Sequence, residues 1–226
     1  MLESYRRMRN SGLSLIELLV VITVIAVLAA VLLPVTHRGR LHARIARVHS
    51  DLRQVGIAIQ SYEEDWKGLP PVRSSCMYNA QVEYFDLPLE LYQMRYLPVH
   101  RMYDPFNRTE DDDGRLGRAY KYVAINWGYS NNARTEFTMW LPRNYPSSGG
   151  DYLLYYRSRG KIYAFDQGKT YPKEPPIKWA VWSVGPGGDP GWIDARQRML
   201  PVPRTEWYPF KEDGVIVRFS DGRISR

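Results

Sequence analysis

Glu17 is a carboxylate set in oil. From Leu13 to Leu33 the chain runs for 21 residues, and Glu17 is the only charged side chain among them. A carboxylate in lipid costs roughly 2–4 kcal/mol near the bilayer centre and less near an interface, so one kept there usually has a partner. An amine would answer it. Cleavage after Gly12 would expose an amine on Leu13, four residues before Glu17, where the carboxylate of a neighbouring subunit can meet it. On that reading the acid would find its partner in another copy, as an ion pair. The remaining residues form no catalytic constellation. There is no nucleophile elbow, no phosphate-binding glycine loop and no paired-cysteine metal motif. His37, His42, His49 and His100 lack ligand spacing with carboxylates. Glu110-Asp111-Asp112-Asp113-Gly114 is the one acidic cluster, but an EF-hand loop would need an acid at Thr109 and a bidentate glutamate near Tyr120. An exposed acidic turn is expected there, with no metal, and the chain is not expected to be an enzyme.

The element that must position Glu17 is the apolar run itself. At about 1.5 Å per residue, 21 helical residues cover about 30 Å, the thickness of a bilayer's hydrocarbon core. A transmembrane helix is therefore expected over 13–34, after a basic leader at 1–12 that contains Arg6, Arg7 and Arg9. A cleaved secretory signal is the rival reading, and Leu28-Ala29-Ala30 is a weak peptidase site. The acid inside the apolar region argues against it. Pro34 closes the uniform run, removes one helical hydrogen bond and is the expected kink. Beyond it Leu41, Ile45, Val48, Leu52, Val55, Ile59 and Tyr62 recur at alternating fours and threes, one stripe of an amphipathic helix over 35–68. Gly39 and Gly56 weaken that helix by about 1 kcal/mol each. Gly68, Pro70 and Pro71 end it.

Residues 69–226 read as a single β-rich head. Aromatic content is 13%, with 17 Tyr and 7 Trp, which suits large rings packed on sheets. Strands are expected at 120–125, 136–141, 152–156, 161–165, 177–184 and 214–219, with 69–102 a loop holding short helical or extended pieces. Arg157-Ser158-Arg159-Gly160 is a hairpin connection. Ser220-Asp221-Gly222-Arg223 is another, returning Ile224 against Ile216 or Val217. The fold class is α+β: a long helix, its first half membrane-spanning, laying its stripe on an antiparallel sheet. The net charge of +7 points to a basic solvated surface, with attraction to anionic lipid as the sharper reading; nucleic acid is not an expected partner. Cys76 is the only cysteine, which excludes an internal disulfide, and is expected to be a small buried residue.

Gly12-Leu13-Ser14-Leu15-Ile16-Glu17-Leu18-Leu19-Val20-Val21-Ile22 resembles the processing motif of type IV pilins and type II secretion pseudopilins. Leu13 stands where Phe is usual. The resemblance implies cleavage between Gly12 and Leu13 by a prepilin peptidase, N-methylation of Leu13, and an assembly role for Glu17. It also implies a single-pass protein of the inner membrane with its head in the periplasm. Arginines stand on both sides of the span, so charge counting alone does not orient it. Leu87-Pro88-Leu89-Glu90-Leu91, then Tyr103-Asp104-Pro105-Phe106-Asn107, resembles the segment that precedes the first sheet strand of major pseudopilins. Ser183-Val184-Gly185-Pro186-Gly187 resembles their calcium loop but lacks the paired aspartates downstream, so no cofactor is expected and calcium is not supported. The implied function is a pseudopilin fibre for protein export. Its partners would be prepilin peptidase, further copies and other pseudopilins, an inner-membrane assembly platform, and lipid. A type IV pilin for adhesion, motility or DNA uptake is the alternative of the same class. A non-polymerising, membrane-anchored binding domain is the alternative of another.

Overall fold

The threes and fours of the amphipathic stripe close onto β-structure. The structure, a computed structural model, describes residues 15–77, 82–98, 102–107, 120–130, 132–147, 151–187 and 204–225. Helix α1 is Leu15–Trp66 and runs without interruption through position 34. Contacts divide the chain into two compact units, Met1–Ala43 and Arg44–Arg226. In the second unit Ile45, Val48, Leu52, Val55, Ala58, Ile59 and Tyr62 are buried. Leu41, expected to open the stripe, is exposed at 37% and lies in the first unit.

Eleven strands follow among the described residues: β1 Val72–Met77, β2 Val82–Asp86, β3 Lys121–Ala124, β4 Trp127–Ser130, β5 Ala133–Glu136, β6 Met139–Pro142, β7 Tyr152–Ser158, β8 Lys161–Asp166, β9 Lys169–Pro172, β10 Trp179–Ser183 and β11 Ile216–Phe219. A short helix, α2, Leu89–Gln93, sits between β2 and β3. The α+β class stands, with two corrections. The strands form three sheets, ordered β2-β1-β4-β5, β11-β10-β3 and β6-β7-β8-β9, where one was expected. The stretch 69–102, expected as loop with short helical or extended pieces, holds the β1–β2 pair and α2. The expected strand 136–141 is divided between β5 and β6, because Phe137 leaves the ladder to donate its N–H to the Asn126 carbonyl at 2.8 Å.

The sheet β11-β10-β3 lies against α1 within the second unit. Gly56 is the point of closest approach. A Cβ there would meet Arg218 on β11 and Trp179 on β10, so the glycine that weakens the helix lets it settle on the sheet. Tyr120 then reaches across to α1, its hydroxyl donating to Asp51 Oδ2 at 2.7 Å. Arg47, one turn earlier, is 3.5 Å from the same carboxylate oxygen. Burial first, and the bond to Asp51 second, push the Tyr120 hydroxyl far above its ordinary pKa, so it stays a donor.

The third sheet shows the alternation of a half-buried ladder. Met139, Leu141, Leu153, Tyr155 and Ala164 are buried, while Trp140, Leu154 and Tyr163 are half-buried and Phe165 is exposed. Two tight turns join its strands. Arg159 and Gly160 have φ of 46° and 79°, and Gln167 and Gly168 have 45° and 80°, the left-handed pair that matches hairpin twist. The first of these turns is the expected one. The C-terminal return differs by one residue or more from expectation: Ile224 bridges Arg218, with Ser225 N–H donating to the Val217 carbonyl at 3.0 Å. The ring of Phe219 packs 5.0 Å from Trp207 and 5.7 Å from Tyr145, tying β11 to the connection after β6.

Among the named strands one pairing is parallel. Val72 of β1 stands opposite Gly128 of β4, and a Cβ on Gly128 would fall on the Val72 backbone carbonyl. Backbone cannot swing aside as a side-chain tip can. Gly128→Ala is therefore expected to destabilise the head by about 2–3 kcal/mol, the upper range for overpacking. A urea midpoint unchanged from the parent would contradict this.

Candidate functional site

Two sites emerge, one on the apolar half of α1 and one that organises the head. The first is the N-terminal part of α1. Every residue from Leu15 to Leu33 is exposed, 83% at Leu15 and still 51% at Leu19 and Val21, and apolar side chains stand on all sides of the helix. It is the one helix among the described residues long and apolar enough to cross a membrane by length and composition. Its polar groups are handled internally. The Thr23 hydroxyl donates to the Val20 carbonyl at 2.8 Å and the Thr36 hydroxyl to the Leu33 carbonyl at 2.9 Å, which suits a helix surrounded by lipid or by other helices. Ala26, Ala29 and Ala30 are small enough for a neighbouring helix to approach closely. Glu17 lies in the first turn of α1, exposed, where the N-terminal end of the helix dipole favours a negative charge. Position 34 keeps its helical assignment, and a proline there offers the Ala30 carbonyl no N–H. Gly12 and Leu13 lie outside the described residues, as do His100 and the acidic run 110–113.

The second site joins two motifs that are far apart in sequence. Asp104 is buried at 2% exposure. Its Oδ1 accepts from Phe106 N–H at 2.9 Å and from Ser183 Oγ at 2.8 Å, and its Oδ2 accepts from Val184 N–H at 2.9 Å. Ser183 Oγ accepts in turn from Gly185 N–H at 3.1 Å. The Asp-Pro turn thereby holds the start of the Ser-Val-Gly-Pro-Gly loop. Gly185 has φ of 73° and presses on the Gly214 carbonyl, where no side chain fits. Residues 188–191 of that loop lie outside the described residues. Burial raises the Asp104 carboxyl above its ordinary pKa; the three hydrogen bonds and Lys121 oppose the shift without cancelling it. Lys121, also buried, is 3.6 Å from Asp86.

Sequence reasoning named Asp104 as a turn residue and Ser183 as part of a loop, and missed that they meet. The 79 residues between them follow no period. Among the described residues no group of three or more His, Cys, Asp or Glu could hold a metal ion. His37 and His42 are exposed and His49 is half-buried. Cys76 sits in β1 opposite Glu83; its side-chain surroundings lie outside what is described.

The comparisons fall on the first site. A family model described as the prokaryotic N-terminal methylation motif matches residues 7–33. No curated protein and no solved structure matches the chain. The matched segment holds Gly12, Leu13 and Glu17 together with the apolar half of α1, so the chain carries the motif that marks type IV pilin-like proteins processed by prepilin peptidase. The motif and the apolar helix together support membrane anchoring.

The Asp104 junction makes two predictions for the head. A buried carboxyl with a raised pKa binds its proton more tightly folded than unfolded, so its contribution to stability falls as pH rises through the window that opens at 3.8. Asp104→Asn should remove that component of the pH dependence from urea midpoints taken across the window. Asp104→Ala should cost about 2–4 kcal/mol at neutral pH, by leaving buried donors of Ser183, Val184 and Phe106 without their acceptor.

Proposed function

We propose that this chain is a pseudopilin: a non-enzymatic subunit that prepilin peptidase cuts after Gly12 and that then assembles into the helical fibre of a type II secretion system. The observation that carries the proposal is the apolar surface of Leu15–Leu33, open on every side, with one carboxylate in its first turn and the methylation motif across it. Lipid tails are as apolar as leucine, so burial alone gives such a helix little reason to leave the bilayer for a bundle of its own kind. A charge pair does. The amine of Leu13, which keeps its positive charge when methylated, meets Glu17 of a neighbour. A buried pair of opposite charges then fixes the register of one helix on the next. The precursor waits in the inner membrane with its head in the periplasm. Other pseudopilins and a membrane assembly platform add subunits, and partner proteins spend the ATP, since this chain has no nucleotide-binding motif. The growing fibre pushes cargo toward an outer-membrane pore. The Leu-Pro stretch at 87–88 and the Asp104-Pro105-Phe106 turn, whose carboxylate anchors the loop at 183, favour the pseudopilin over an adhesive pilin.

Two measurements check this. Mass spectrometry of the mature chain should find it beginning at Leu13 with one added methyl group; any other start sinks the processing step. Glu17→Ala should leave processing and the folded head intact while abolishing fibres, because an amine buried without its partner costs about 3–5 kcal/mol at each contact. Fibres in normal yield from Glu17→Ala would point to an anchored domain that does not polymerise.

A further inference from the structure

The outer face of the β6-β7-β8-β9 sheet is covered with rings that neither processing nor the apolar helix uses. Register sets its rows. Trp140 stands opposite Leu154, Leu154 opposite Phe165 and Phe165 opposite Thr170, one row across all four strands. The next row is Tyr156, Tyr163 and Pro172. Side chains alternate along a strand, so both rows share the face opposite the buried Leu141, Leu153, Tyr155 and Ala164. No residue of either row is buried, and Phe165, on a central strand, is 39% exposed. The rings are held in place. Those of Tyr156 and Tyr163 stack at 5.8 Å with 24° between their planes, and the Tyr156 hydroxyl is 3.3 Å from that of Thr170. Neither row carries a charge.

Cations stand at one end of this face. The next pair on it, Ser158 and Lys161, closes the β7–β8 hairpin. Lys161 and Pro172 also line a groove of about 530 Å³, together with Lys67, Arg157, Lys173 and Lys178. Glu63 and Glu174 are its only acids, so five cations face two carboxylates. Lys178 is 3.8 Å from Glu63, which leaves the surplus on the other four. The wall is fixed from within. Asn126, buried at 1%, donates from Nδ2 to the Leu69 carbonyl at 2.7 Å and accepts from Arg157 at 3.2 Å. Because Lys161 and Pro172 belong to both, the rings and the groove are one continuous surface.

That arrangement selects among ligands. A sugar ring has apolar C–H faces, which settle on aromatic rings, and a rim of hydroxyls, which the hydroxyls of Tyr163 and Thr170 can meet. An acidic substituent on such a chain has the groove to enter. A nucleic-acid strand carries a phosphate at each nucleotide and is held by cations that track its backbone beside the stacking rings. The two rows contain no cation to do this.

We propose that this surface binds an acidic polysaccharide, its sugar rings on the two rows and an acidic substituent in the groove. Binding of this kind does not depend on polymerisation. The test uses the full chain in detergent micelles and a fluorescently labelled hyaluronan oligosaccharide, which has a carboxylate on every second sugar. Anisotropy at low salt should show saturable binding that weakens as salt rises. Phe165→Ala should raise Kd about three- to ten-fold, with the melting temperature essentially unchanged. Lys161→Glu with Lys173→Glu should raise it about ten-fold or more. An uncharged chitin oligosaccharide of the same length should bind the parent chain more weakly, and should lose affinity with Phe165→Ala but not with the lysine pair. Absence of saturable hyaluronan binding, an unchanged Kd in Phe165→Ala, or tighter binding of a thymidine oligonucleotide of equal charge would each overturn the proposal. None of these outcomes bears on cleavage after Gly12 or on fibre formation, which stand or fall by their own measurements.

Discussion

An ion pair between subunits is the interaction on which the assembly reading depends. At about 4 Å and an effective dielectric of about 20, a carboxylate and an ammonium attract by about 4 kcal/mol. That is comparable with the cost of holding Glu17 in lipid, and larger than anything helix-on-helix packing of leucines gains by leaving lipid. The surroundings of Glu17 are consistent with a helix arranged around this one contact. Both threonine hydroxyls described on the apolar helix and at its end are satisfied by carbonyls of their own helix. The helix dipole favours the acid where it stands. Between Leu18 and Leu33 the one polar side chain, Thr23, is turned back onto its own helix.

The head answers a different constraint, the need to bury a helix stripe on strands that are short and come from distant parts of the chain. Hydrophobic area alone would not choose among the ways of stacking three small sheets. Directional polar contacts do. Tyr120 reaches Asp51 across 69 residues, Ser183 reaches Asp104 across 79, and Asn126 reaches Leu69 across 57. The three lie along one sheet and its flanks. Each would leave a buried polar group unmet if a strand slipped by one residue, which also turns every side chain to the opposite face. Glycine settles three close approaches, Gly56 under Arg218 and Trp179, Gly128 against Val72 and Gly185 against Gly214.

What could be read from the sequence follows from which of these forces is local. The helix was legible because its period is carried by Ile45, Val48, Leu52, Val55, Ile59 and Tyr62 in one segment. The Arg159-Gly160 turn was legible because left-handed backbone selects glycine. Strands β4 and β9 were not. Trp127–Ser130 has a glycine at its centre, placed there by contact with β1, and Lys169–Pro172 is polar and ends in proline. β1 reads Val-Arg-Ser-Ser-Cys-Met, with few β-formers, and is strand because β2 and β4 flank it. For the sites, Glu17 was plain because an acid in an apolar run breaks a pattern. The meeting of Asp104 with Ser183 has no counterpart in any window of sequence.

A helical fibre of identical subunits needs two different patches on each copy, and the apolar helix supplies them poorly. A cylinder of leucine and valine packs against its like at many rotations and many heights, with small differences between them. One charge pair removes the freedom of height, because a shift of one turn, about 5.4 Å, separates the carboxylate from the amine. It leaves rotation about the helix axis loosely set, since both charges lie close to that axis. In such a fibre rotation is fixed by contacts far from that axis, and between identical copies those contacts must be heterologous and directional.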